Sequence, residues 1–356
     1  MYFYDLLTIQ NFLKTNNTLV MRATIKDISR RVGVSTATVD RVINGRPGVK
    51  KRTRAQVMAA ALALGYLQEE NIPARPRPLN LAVMLPKGTN AFLAALGEKF
   101  LYEGSELENV TVTLHELKTI DPTATAALLR ALLGKCDGIA ILAVDHPIVR
   151  EAINMLADKG IPIATLLSDI PDVKRIEYVG VDNQRAGRLA GFVLGKFVSQ
   201  NDQKVCLFTG SLAFRGHQER EMGFRQILSQ ELPHLNIVGM IESQDDRKIA
   251  FEATCKLLKE HPDLAGIYNA GGATLGIARA LKKCGKAEMV HLIAHEVTAD
   301  NTSLLLDGTI DACIDQNPSL AARETLTALA NSARGIPYRR YPTQLHIVFR
   351  ENLPQI

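Results

Sequence analysis

From Leu79 onward the chain alternates short apolar runs with amphipathic stretches of helical period, and this alternation restricts the fold more than any other feature. The runs are LNLAVMLP (79–86), VTVTLHEL (110–117), GIAILAV (138–144), IPIATLL (161–167), EYVGV (177–181), KVCLFT (204–209), NIVGMI (236–241), AGIYN (265–269), MVHLIAH (289–295) and DACID (311–315). Near-continuous apolar runs suit strands buried on both faces, and strand–helix alternation implies parallel sheets covered by helices. About ten strands over some 270 residues suit two lobes better than one sheet. The predicted fold class is α/β, a two-lobed, doubly wound parallel-sheet core over 79–350 behind a small helical head. Ligands of such sheets bind beyond the carboxyl ends of the strands, so the residues just after each run are the candidates.

Several classes of protein are excluded. No stretch approaches ~18 consecutive apolar residues, so no membrane span or membrane partner is expected. Five cysteines (136, 206, 255, 284, 313) are scattered without a CxxC pair, which fits buried thiols in a reducing cytoplasm. Residues 1–20 lack the basic start and unbroken apolar run of a signal peptide. They are expected to lie outside the fold, with translation starting at Met21.

The charge is uneven. Between Arg22 and Tyr66 ten basic residues face only Asp27 and Asp40, leaving +8, whereas residues 79–356 hold 29 basic and 32 acidic residues, or −3. A cationic head on a mildly acidic body points to a polyanion partner for the head alone. Its pattern is specific. Ile25, Ile28 and Val32 recur at helical spacing behind Thr24 as cap, and Gly33 stops the helix. Ser35 caps a second helix with Val39, Val42 and Ile43 inward. Asn44-Gly45 and Pro47-Gly48 turn the chain, and Thr53 starts a third helix carrying Val57, Ala60, Ala61 and Leu64. Three short helices so spaced over 21–66 make a helix-turn-helix, whose second helix would present its N-terminal residues to the major groove.

These residues resemble the lactose-repressor (LacI-type) family of bacterial regulators. The resemblance rests on Thr24-Ile25-Lys26-Asp27-Ile28, Gly33-Val34-Ser35-x-x-Thr38-Val39, Arg41-Val42-Ile43-Asn44-Gly45 and Leu64-Gly65-Tyr66. It implies that Thr36, Ala37 and Arg41 read bases while Ser35, Thr38 and Asn44 hold phosphates, with Thr24 in the same DNA-facing set. Arginine suits guanine, whose O6 and N7 accept a two-pronged donor, and Ala37 offers only a methyl contact. Asp40 departs from the family's usual serine and is expected to pair with a neighbouring arginine.

The linker 67–78, LQEENIPARPRP, is unusual. In the family this segment folds on DNA into a hinge helix with a wedging leucine. Here Asn71-x-x-Ala74-Arg75 matches only in part, Arg77 holds the wedge position, and Pro73, Pro76 and Pro78 oppose a regular helix. An extended arm is expected instead, with Arg75 or Arg77 entering a narrow A·T-rich minor groove.

Residues beyond the strand-like runs are rich in carboxylates and amides: Asn90 and Phe92, Ser168 and Asp169, Asp182 and Asn183, Arg220, Asn269, Glu296 and Gln316. Such groups make paired hydrogen bonds to vicinal hydroxyls, and Phe92 can cover a sugar ring, which is the chemistry of a small polyol site. The pattern resembles the ribose-type periplasmic sugar-binding fold through Asn90-x-Phe92, Gly180-Val181-Asp182-Asn183 with Ala186-Gly187, Glu219-Arg220-Glu221-x-Gly223-Phe224, His295-Glu296 and Asp315-Gln316-x-Pro318. The resemblance implies ligand contacts at Asn90, Phe92, Asn183, Arg220, Glu296 and Gln316. Asp169 and Asn269 lie one or two positions off the alignment and complete the set.

Other chemistries lack support. His291 and His295 sit on one face of a strand-like run but ~13 Å apart, too far to share a metal. Asn269-Ala270-Gly271-Gly272 lacks the endings of phosphate-binding loops, and no nucleophile elbow occurs. Asp169 and Asp182 could form a glycosidase pair, but nothing pushes their acidities apart. No catalytic residue, metal or cofactor is therefore assigned. The expectation is a cytoplasmic, sugar-responsive transcriptional regulator that binds a pseudo-palindromic DNA operator as a homodimer or a tetramer. The alternative is a sugar-acting kinase or hydrolase with a basic appendage; a transport binding protein is disfavoured by the basic head.

Overall fold

In the computed structural model, residues 23–46, 48–67, 76–88, 90–198, 201, 203–338 and 343–354 are described. The expectations for residues 1–20 and for Arg75 lie outside them. The chain divides between Arg75 and Pro76 into two compact units.

Among the described residues the first unit holds three helices, α1 (Ile25–Val32), α2 (Thr36–Ile43) and α3 (Lys51–Ala63). Thr24 and Asp27 form a reciprocal capping box that starts α1, and Gly33, at φ +74°, closes it. Ser35 starts α2 by accepting from the Thr38 amide at 3.1 Å. The third helix begins at Lys51, two residues earlier than expected, without a side-chain cap. Ile28, Val39, Val42, Val57, Ala60 and Ala61 are buried together. A core this small binds the three helices through one apolar stripe from each.

The second unit contains two sheets. The first has order β2-β1-β3-β4-β5, from β1 (Leu79–Pro86), β2 (Val110–Leu117), β3 (Gly138–Ile141), β4 (Ile163–Leu166) and β5 (Glu177–Val179), all parallel. Helices α4 (Ala91–Glu106), α5 (Pro122–Ala131) and α6 (Pro147–Asp158) connect them. The second has order β11-β10-β9-β8-β6-β7, from β6 (Gln203–Thr209), β7 (Leu235–Glu242), β8 (Leu264–Asn269), β9 (His291–His295), β10 (Ala312–Asp315) and β11 (His346–Val348). Its helices are α7 (Asn183–Phe197), α8 (Arg215–Glu231), α9 (Arg247–Glu260), α10 (Thr274–Lys283) and α11 (Ala299–Leu306). After β10 the chain returns to the first lobe, where α12 (Pro318–Ala333) packs on α4 and on β1 and β3.

Each sheet carries one apolar cluster per face, which explains why its strands read as continuous apolar runs. The departure from the all-parallel expectation is β11, a three-residue edge strand antiparallel to β10. It follows the return from α12 and needs no crossover, so its direction is free. The cysteines are all free, but only Cys206 and Cys313 are fully buried; Cys284 is exposed, against the expectation of buried thiols. Among the described residues no helix is long and apolar enough to cross a membrane.

Candidate functional site

On the head, Ser35, Thr36, Ala37, Arg41 and Asn44 are exposed along one end and side of α2, Thr24 is exposed at the start of α1, and Thr38 is half-buried. The Arg41 side chain makes no hydrogen bond or ion pair among the described residues, so its guanidinium fork is open to a partner. The Ser35 and Thr38 hydroxyls lie 2.9 Å apart and hydrogen-bond each other. Asp40 pairs with Arg46 at 3.2 Å and accepts from the Asn44 amide at 2.8 Å. That arrangement offsets the charge of the carboxylate and orients Asn44 toward Asp40.

Arg77 differs from expectation. Its guanidinium donates to Asp137 at 2.7 Å, whose other oxygen accepts from the Asn80 amide at 2.8 Å. Arg334, at the end of α12, donates to the Arg77 carbonyl at 3.2 Å and the Glu108 carbonyl at 2.9 Å. Residues 76–78 are thus fastened to the first lobe, and Arg77 is occupied by a carboxylate.

A cavity of about 360 Å³ lies where the carboxyl ends of the two sheets face each other. Residues following β1, β4, β5, β6, β7, β8, β9 and β10 all reach it, as the open-sheet rule requires. Of the seven non-glycine residues with left-handed backbone among those described, Leu167, Gln244, Asp245 and Glu296 line this cavity. Each such residue costs on the order of 1–3 kcal/mol and persists where the surroundings hold it, a pattern typical of ligand sites.

Asn183 and Arg220 form the floor. Gly187 on α7 and Gly223 on α8 bring the helix backbones so close that a Cβ on either would sit 1.9 Å from a carbonyl oxygen of the other helix. That approach lets Arg220 Nε donate to Asn183 Oδ1 at 2.8 Å, while its Nη1 donates to the Ala270 carbonyl at 2.9 Å. Asn183 Nδ2 in turn donates to the Leu167 carbonyl at 2.9 Å. At the other end, Gln316 Nε2 donates to Glu296 Oε1 at 2.6 Å, and Glu296 Oε2 and Gln316 Oε1 are buried without a partner. Burial, helped by the neighbouring Asp315, pushes the Glu296 carboxyl up to about 8, although Arg220 acts the other way. Burial holds His295 well below the usual imidazole range, with Arg220 adding to it, so this histidine is neutral and bonded to the Tyr268 hydroxyl at 2.8 Å.

Two expected ligand residues face elsewhere. Asp169 does not line the cavity; it accepts from Thr165 Oγ1 at 2.7 Å and pairs with Arg175 at 2.6 Å. Asn269 is fully buried beneath the cavity wall, its amide donating to the Gly271 carbonyl at 3.1 Å and to Thr274 Oγ1 at 2.9 Å. In both cases a polar group at a strand end serves the turn that follows it. Residues added to the site are Asp245, His217 and Phe214. Asp245 follows β7 and was open to the same strand-end rule that found the others.

The sequence comparisons agree with this geometry. Residues 24–69 match the family described as bacterial regulatory proteins, lacI family, and residues 81–337 match the family described as periplasmic binding protein domain. This chain belongs to the lacI family of transcriptional regulators, with a periplasmic-binding-protein body. The regulator is 25% identical over 260 residues to catabolite control protein A of Priestia megaterium, covering 70% of this chain and 74% of that one. It is 25% identical over 273 residues to the HTH-type transcriptional repressor PurR of Vibrio vulnificus, covering 74% and 78%. The chain is also 23% identical over 297 residues to the ribose import binding protein RbsB of Salmonella typhimurium, covering 83% of this chain and 97% of that one. Among solved structures, the glucose-galactose binding protein GanP of Geobacillus stearothermophilus matches 78% of this chain and all of that one, at 24% identity and a TM-score of 0.71. That likeness shows the fold.

Proposed function

We propose that this regulator acts in the cytoplasm as a homodimer that represses transcription from a pseudo-palindromic operator, and that a small sugar or polyol bound in the cleft changes its grip on DNA. In this reading Thr36, Ala37 and Arg41 read bases, and Thr24, Ser35, Thr38 and Asn44 contact the backbone. Asn90, Phe92, Asn183, Arg220, Glu296 and Gln316 hold the ligand. The observation that carries the reading is the pair of orphaned buried polar atoms, Glu296 Oε2 and Gln316 Oε1, facing a cavity of monosaccharide scale in a chain whose head exposes the start of α2. Buried polar atoms are normally satisfied, and the hydroxyls of a polyol, which both donate and accept, would satisfy these.

The relatives support both halves: one is named as a ribose import binding protein and another as a transcriptional repressor. The pair of carboxylates that the enzyme alternative named, Asp169 and Asp182, lies outside the cleft lining. Asp169 is tied to Arg175, and Asp182 caps α7 by accepting from the Arg185 amide at 2.9 Å, so neither faces the cavity as a catalytic acid would. The test is a melting-shift screen of pentoses, hexoses, inositols and their acids, with turnover followed in parallel. The reading requires a shift without consumption of the sugar. Consumption, or no shift with any compound, contradicts it.

A further inference from the structure

We propose that Cys255 and Cys284 form a reversible disulfide when the protein meets a peroxide, and that this bond braces the second-lobe wall of the cleft. The inference goes beyond the regulatory reading and does not depend on which ligand the cleft takes. Cys255 lies on α9 and Cys284 caps the end of α10, and their sulfurs are 4.0 Å apart. A disulfide closes such a gap to about 2.05 Å, so the two sulfurs need only a short approach.

The helix packing brings them to one level. Strands β7 and β8 are both parallel to β6, so the helices that follow them run in the same direction. Near their starts they touch: a Cβ on Gly276 would sit 2.2 Å from the Arg247 carbonyl oxygen and 3.1 Å from Ala250 Cβ. Residues 247 and 276 are as far apart in sequence as 255 and 284. The cysteines therefore stand at matching heights, about two turns beyond the glycine contact. After Cys284 the chain turns at Gly285, φ +65°, with open space around it, so no continuing helix encloses that side chain.

The two thiols have different tasks. Cys284 is exposed and Cys255 half-buried. Burial, with Cys284 beside it, pushes the Cys255 thiol up, while Lys283 and Lys259 act the other way. The exposed sulfur is thus the one that meets the oxidant, and its neighbour resolves the product. The Cys284 thiolate attacks one oxygen of the peroxide; the O–O bond breaks, leaving a sulfenic acid and hydroxide. The Cys255 thiolate then attacks the Cys284 sulfur; the S–S bond forms, the S–O bond breaks, and a second hydroxide leaves. The two thiol protons convert both hydroxides to water. The sulfurs lose the two electrons that the peroxide gains, and a dithiol reductant restores both thiols by exchange. The other cysteines stand apart from this chemistry. Cys206 and Cys313 are buried, which pushes both thiols up, and the Cys136 thiol donates to the Leu132 carbonyl at 3.7 Å.

The bond reaches the cleft because both helices start there. Gln244 and Asp245 precede α9, Gly271 and Gly272 precede α10, and all four line the cavity. The Gly272 amide donates to Asp245 Oδ1 at 2.6 Å, joining the two turns. A bond between the helices holds their leading turns in that contact, and closing residues 255–284 into a ring removes entropy from the unfolded chain.

The test is treatment of the full chain with hydrogen peroxide, then alkylation of the remaining thiols, trypsin digestion and mass spectrometry without reductant. Peptides 249–256 and 284–286 should appear joined. The melting temperature should rise by a few degrees, and amide exchange at residues 244–247 and 271–274 should slow. Dithiothreitol should reverse all three. Cys255→Ser and Cys284→Ser, each checked for a cooperative melting transition when reduced, should lose the link and the rise. Cys255→Ser should retain a sulfenic acid at Cys284 that dimedone traps; no adduct there overturns the order assigned to the two thiols. Both thiols still open to alkylation after peroxide, a link to another cysteine or to a second copy on a non-reducing gel, or sulfinic acid at Cys284 without a link overturns the disulfide. A link that changes neither melting nor amide exchange overturns the brace.

Discussion

Asn90 Nδ2 donates to Asp245 Oδ2 at 2.8 Å, joining the residue that caps α4 in the first lobe to the loop after β7 in the second. Gly272 completes the contact from a third element: its amide donates to Asp245 Oδ1 at 2.6 Å, and a Cβ there would sit 2.5 Å from Asn90. Ser168 and the Gly216 amide make a second bond between the lobes at 3.0 Å. The structure is thus a closed form held by a few polar contacts, each worth roughly 1 kcal/mol net.

Breaking that latch should open the cleft. Asn90→Asp retains the cap on α4, since the carboxylate can still accept from the Phe92 and Leu93 amides, but it sets two carboxylates face to face. Small-angle scattering of the ligand-free chain should show a larger radius of gyration, and the melting temperature should fall by a few degrees. Adding Asp245→Asn restores a donor–acceptor pair with the roles exchanged, and should recover most of both losses. A double variant as open as the single would contradict the latch.

The carboxyl of Glu296 makes stability depend on pH in an unusual direction. Its folded pKa, about 8, lies above the ordinary 4.5, so the unfolded chain releases this proton first as pH rises. The contribution of the protonated group is complete below about pH 4.5 and is lost as pH climbs to about 8, on the order of a few kcal/mol over the interval. Glu296→Gln keeps the neutral shape without the proton. Melting curves from pH 5 to 9 should therefore show the variant gaining on the parent between pH 5 and 8 and running parallel above; parallel curves throughout would contradict the assignment.

On the head, Arg41→Ala should cost about 1–3 kcal/mol in binding to a duplex selected from random sequence, with little change on unselected DNA. Equal losses on both would mean that Arg41 contacts phosphate rather than a base.

The basic arm can now be divided. Arg77 serves Asp137, so Arg77→Ala should leave the salt slope of DNA binding unchanged. Arg75→Ala should lower affinity and reduce the slope by about 1. The reverse result would place Arg77 on DNA after release from Asp137.

Much of this was legible in the sequence because the signals are local. The helix-turn-helix follows from caps and apolar spacing at Thr24, Gly33 and Ser35, and the sheets from continuous apolar runs. Strand ends marked Asn90, Asn183, Arg220, Glu296 and Gln316, yet the same rule misplaced Asp169 and Asn269, since a carboxylate or amide there closes a turn as readily as it meets a ligand. Asp245, just after β7, was open to the same rule; what periodicity does not carry is the left-handed backbone at Gln244 and Asp245, φ +52° and +55°, in the turn that holds it at the cleft. Neither the three-residue β11 nor the return of α12 to the first lobe leaves a local signal; both are products of long-range packing.

The regulatory account rests on coupling between cleft and duplex. Its most direct measurement is the affinity of the full chain for its selected duplex with and without the sugar that shifts its melting, repeated with Arg220→Gln. A change of about 5–150-fold that vanishes in the variant is the predicted result. A sugar that binds without altering duplex affinity would contradict it.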